Sequence, residues 1–128
     1  MTSSKAPDPK VVRDAVAKVA GWLDDFESDS PTRDQLATAV RATLAALRAE
    51  APGQTVEVRV PPFGAVQCLD GPKHTRGTPP NVVQTNARTW LLLATGRAEL
   101  ETAAAGWEVE ISGTRAAEVA AHLPLVRV

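Results

Sequence analysis

The chain has 128 residues and a formal net charge of −1, with 14 Lys and Arg against 15 Asp and Glu. So even a balance excludes the basic footprint of a nucleic-acid-binding domain and the polybasic cluster of a membrane-surface anchor. The length suits one domain with a real core, and 44% apolar with 23% charged residues is a globular rather than a disordered make-up.

In chain order, Asp8-Pro9 reads as an N-cap followed by proline at the first helical position. Val12, Ala15, Val16, Val19, Trp22, Leu23 and Phe26 then recur at helical spacing, predicting a first helix with one apolar stripe. A second helix opens at Ser30-Pro31, or at a capping box formed by Thr32 and Gln35. Its stripe is Leu36, Ala37, Val40, Leu44 and Leu47, and Ala51-Pro52-Gly53 stops it. Two such helices make a hairpin over residues 8–50 that cannot bury its stripes alone.

From Gln54 the period changes to two. Val56, Val58 and Val60 alternate with Glu57 and Arg59, as a half-buried strand does. Pro61-Pro62-Phe63-Gly64 ends it, and Ala65 to Leu69 gives a second strand in a wide-turned hairpin. A third short strand is expected over Asn81 to Thr85, and Asn86 caps a helix, Ala87 to Thr95, with Gly96 at the position after its end. Trp90-Leu91-Leu92-Leu93-Ala94 makes that helix apolar nearly all round, so it belongs at the centre of the core or against a cavity. A short alanine-rich helix ends at Gly106. Trp107, Val109 and Ile111 alternate with Glu108, Glu110 and Ser112 as a strand, and a last helix runs from about Arg115 to Leu123. The order predicts one α+β domain over 1–128: the helix pair, then a core over 55–128 with a small, mostly antiparallel sheet of four to five strands covered by helices.

Between the second and third strands lies Gly71-Pro72-Lys73-His74-Thr75-Arg76-Gly77-Thr78-Pro79-Pro80-Asn81. It carries three potentially cationic side chains and no acid. Lys73, His74, Thr75 and Arg76 form a candidate recognition set for a carboxylate, a phosphate or an acidic partner, with Arg76 the best bidentate donor. No Gly-Lys-Ser/Thr enters a helix here, so this is not a P-loop.

Catalytic constellations are thin. Cys68 is the only cysteine, so no intrachain disulfide forms and a reducing, cytoplasmic location is expected. It sits within a strand pattern, where a small buried thiol is the ordinary outcome. His74, His122 and Cys68 show no metal-ligand spacing, so no metal and no cofactor is expected. Glu57, Glu108 and Glu110 fall on solvent faces, and no nucleophile elbow is present. The chain does not read as an enzyme. No apolar run approaches the roughly 20 residues of a membrane-spanning helix, and Met1 to Lys10 lacks a signal-peptide core.

The succession of three strands, Trp90-Leu91-Leu92-Leu93-Ala94-Thr95-Gly96, Ala105-Gly106 and Val109-Glu110-Ile111-Ser112-Gly113-Thr114-Arg115 resembles the C-terminal half of the sterol carrier protein 2 (SCP-2) superfamily. The strings Val58-Arg59-Val60-Pro61-Pro62-Phe63 and 71–83, with His-Thr-Arg-Gly-Thr-Pro-Pro-Asn at their heart, are more specifically similar to an actinobacterial sterol-carrier-like family. The resemblance covers roughly Val56 to Leu125. It implies an SCP-2-like sheet and helices around an apolar cavity for a fatty acyl chain, a sterol or another hydrophobic small molecule. Val82, Trp90, Leu93, Val109 and Ile111 are then the candidate cavity walls, and the 71–81 loop frames the mouth. The implied function is a non-enzymatic lipid carrier, with transient membrane contact and no nucleic acid. The alternative is a protein-interaction module that docks a partner through the 71–81 loop or the N-terminal helices. The oligomeric state is left open.

Overall fold

A computed structural model describes residues 6–71 and 81–128. Helix α1 (Pro9–Asp24) starts where Asp8 accepts a hydrogen bond from the Lys10 amide, with proline in its first turn. Its stripe of Val12, Ala15, Val16, Val19 and Leu23 is buried. The stripe ends there, because the helix stops at Asp24 and Phe26 remains 64% exposed. Helix α2 (Arg33–Glu50) opens on the Thr32–Gln35 capping box. The Gln35 amide donates to the Thr32 hydroxyl, and the Gln35 side chain accepts from the Thr32 amide.

Four strands follow: β1 (Val56–Val60), β2 (Gly64–Cys68), β3 (Asn81–Thr85) and β4 (Val109–Ser112). They form one sheet in the order β2-β1-β3-β4. The β1–β2 and β3–β4 pairs are antiparallel, but β1 and β3 run parallel, with Val58 opposite Val83. The sheet is therefore mixed. A period-two pattern fixes which face a residue occupies but says nothing about a strand's partner, so the parallel pair was not legible in it.

The registers put Val56, Val58, Val60, Val83, Thr85 and Val109 on one face, under the helices. Glu57, Arg59, Gln67, Val82, Gln84 and Glu110 share the other. Helix α2 packs on β2. The short α4 (Leu100–Ala105) packs on β4, and a 3-10 helix (Ala116–His122) touches β1, β3 and β4. That final element was expected to be α-helical. Helix α3 (Ala87–Ala94) lies inside, against α2, and α1 packs on α2 and α3 rather than on the sheet.

Helix α1 is held at its C-terminal end by cations from elsewhere in the chain. Arg88 donates to the Leu23 carbonyl at 3.0 Å, and its guanidinium lies over Phe26 and Trp22, 4.7 and 5.5 Å from the ring centroids. Arg97 grips Asp24 at 2.6 Å and also donates to the Val128 carbonyl. Gly53, at φ +149, lets the α2–β1 turn lie against the Leu69 carbonyl, where a Cβ would collide with backbone.

Candidate functional site

At the centre of the helix layer Trp90 is fully buried, and its indole N–H donates to the Thr43 hydroxyl at 2.8 Å. That hydroxyl in turn donates to backbone carbonyls one turn back, Ala39 at 2.8 Å or Val40 at 2.9 Å. A buried Trp needs a partner for its N–H, and Thr43 on α2 supplies it. Leu93 and Val109 are also buried. Ile111 is partly buried and packs against the same core. Val82 stands apart, because the register places it on the opposite face of the sheet from Val83. Four of the five predicted wall residues thus share one interior, and Val82 does not belong to it.

Leu93, although buried, borders a cleft at the edge of that interior. It lines a cleft of about 430 Å³ together with Ala98, Leu100, Ala120, Leu123 and Pro124. Glu99, Glu101 and Arg127 supply the charge around it. The segment after the 3-10 helix builds one wall, fixed by the amides of Leu125 and Val126, which both donate to the Ala94 carbonyl (2.8 and 3.2 Å). On the far side of this segment is a second cleft, of about 540 Å³, between α1, α2 and the C-terminal residues. Val12, Ala46, Ala49, Leu125 and Val126 give it apolar surface, and Arg13, Glu50 and Arg127 give it charge. None of the predicted wall residues lines it. Volumes of this order lie in the range of small-molecule sites.

The sequence reading missed Leu123, Pro124 and Arg127 as cleft residues. Their signal was slight: two leucines flanking a proline past the last helix. The recognition set Lys73, His74, Thr75 and Arg76 lies outside the described residues.

Cys68 is wholly buried, and desolvation pushes its thiol up to about 11, so it is a core side chain and a poor nucleophile. His122 approaches Glu50 at 3.4 Å. Among the described residues no group of three His, Cys, Asp or Glu side chains is placed to hold a metal ion. Nor is any described helix long and apolar enough to cross a membrane.

A four-stranded mixed sheet with helices on one face, and an apolar helix buried beneath them, is an SCP-2-like α+β fold. The chain belongs to the sterol-carrier-like bacterial family described as "Bacterial SCP ortholog", whose model matches residues 32–125. The match begins at the N-cap of α2 and ends in the segment that walls the Leu93 cleft, so α1 precedes it. A search of curated proteins found no match.

Proposed function

We propose that the protein is a non-enzymatic, cytoplasmic carrier that binds an acyl chain, a sterol or a similar hydrophobic molecule in the cleft between α3, α4 and the C-terminal segment. The observation that carries this is Leu93. It is at once a core residue beside Trp90 and a wall of an open cleft, so an apolar ligand there extends the core rather than lying on the surface. Membership of a sterol-carrier-like family supports the ligand class. Arg127 at the rim suits an anionic end such as a carboxylate. The inert thiol of Cys68 agrees with a binding rather than a catalytic role.

Native mass spectrometry of protein expressed in its own host, with displacement of a fluorescent fatty acid, tests the reading. A bound acyl or sterol mass and stoichiometric displacement are expected. Ala120→Trp, which fills the cleft from its exposed rim, should weaken the probe by about tenfold, or ~1.4 kcal/mol. No bound mass together with no displacement sinks the carrier function. Binding that Ala120→Trp leaves unchanged moves the ligand out of this cleft.

A further inference from the structure

Helix α4 ends in a paired hydrogen-bond closure. The Trp107 amide donates to the Ala104 carbonyl at 3.2 Å, and the Glu108 amide to the Ala103 carbonyl at 3.0 Å. This closure forces the residue just past the cap into the left-handed region, which glycine occupies at least cost. Helix α3 closes in the same way. The Gly96 amide donates to Leu93 and the Arg97 amide to Leu92, with Gly96 at φ +79. In α4 the left-handed residue is Trp107, at φ +68 and 93% exposed. The neighbouring glycine, Gly106, sits at φ −88, where no glycine is required. A bulky aromatic in this conformation is a genuine outlier, and burial does not repay it. Its ring is displayed.

The surroundings say to what. From Ala98 to Thr114 there are four glutamates and no Lys, Arg or His. Glu99 and Glu108 line one cleft of about 550 Å³ with Leu92, Ala98 and Ala103. Neither carboxylate has an ion-pair partner among the described residues, and Arg97, also at that cleft, is committed to Asp24 and the Val128 carbonyl. The strand that follows Trp107, β4, is the last in the sheet, and among the described residues no strand pairs with its outer edge.

We propose that the α4–β4 corner docks an extended basic segment of another protein. The segment's backbone pairs with the outer edge of β4, as strand-addition partners do. One Lys or Arg side chain enters the Glu99–Glu108 cleft, and the Trp107 ring covers a cation by its π face. Four carboxylates disfavour an anionic membrane and a nucleic acid alike, since both would meet like charge.

The test is binding of a labelled alternating Arg-Val hexapeptide to the full chain at low salt, against a Glu-Val counterpart. The basic peptide should bind at least about tenfold more tightly, with the preference eroding as salt screens the cleft. Trp107→Gly should lose about tenfold in affinity while melting at a higher temperature, because it restores glycine to the left-handed position. The double change Glu99→Gln with Glu108→Gln should weaken the peptide without lowering the melting temperature. Equal binding of the two peptides, or full affinity in Trp107→Gly, overturns the proposal. So does a concentration-dependent dimer, or binding to phosphatidylserine vesicles, that Trp107→Gly abolishes, since either assigns the surface to another occupant.

Discussion

Helices α3 and α4 close on the same hydrogen-bond geometry and are put to opposite ends. In α3 glycine takes the left-handed position, and the helix sinks into the core with Trp90 bonded to Thr43. In α4 a tryptophan takes that position and stands in solvent, on a six-residue helix that lacks a side-chain cap. One motif therefore terminates a structural helix at little cost, and elsewhere aims a large side chain outward at some cost. Where a chain accepts strain with no packing in return, the reason is to be sought in what the exposed group can meet.

The largest effect expected from breaking this contrast lies at the buried tryptophan. Trp90→Ala should cost about 3–5 kcal/mol, from lost burial and the cavity left behind. A urea midpoint that hardly moves would show that α3 is not central to the core. A smaller change sharpens the comparison from the glycine side. Gly96→Ala should cost about 1–2 kcal/mol, because a Cβ is unfavourable in the left-handed region and Pro124 already lies 3.3 Å from where it would sit. Thermal unfolding of this variant beside Trp107→Gly should show opposite signs at the two helix ends.

The smallest effect concerns the Asp24–Arg97 pair that ties α1 to the end of α3. The hydrogen bond from Arg97 holds the Asp24 carboxyl below its ordinary value of 3.8, although the side chain is largely exposed. A carboxyl acidified by folding adds stability above its unfolded pKa, and loses it as pH falls through the folded value. Asp24→Asn should therefore lower stability slightly at neutral pH and converge with wild type as pH falls below about 4, so that its acid limb is flatter. Parallel profiles for wild type and variant would remove this pair from the account of how α1 is held.

Much of the architecture was legible because local signals agreed. The Thr32–Gln35 box, the Asn86 cap, Gly96 and the Val56–Val58–Val60 alternation each name their own element. The failures share a cause, which is that they depend on partners distant in the chain. Nothing local says that β1 and β3 run parallel, and although alternation puts Val82 and Val83 on opposite faces, only the register of Val83 with Val58 says which of the two valines points inward. Trp107 failed differently. Its spacing with Val109 and Ile111 imitates an inward strand face, but the helix-end closure at Gly106 claims it first and turns it outward. Of the site, Leu93 was readable as interior from its place in an apolar helix. The cleft beside it was not, because its other wall comes from Leu123 and Pro124, in a segment distant in sequence that Leu125 and Val126 tie to Ala94 of α3.

Asn81 carries a consequence for the segment just before it. Its buried side chain donates to the Thr55 carbonyl at 3.0 Å and accepts from the Arg115 amide at 2.9 Å. Gly71 backs onto the side chains of the same Thr55 and Arg115, so closely that a Cβ there would strike both. Cys68 and Asn81 flank Val56 on neighbouring strands, which sets the gap that residues 69–80 bridge at about 10 Å, two strand spacings. Both ends of that gap thus rest on the same two residues, Thr55 and Arg115. Each doubling in length of an inserted tract costs only about 0.6 kcal/mol in closure entropy. Thr55, Asn81 and Arg115 form one frame at the two ends of the 72–80 tract, shared by Gly71 and Asn81.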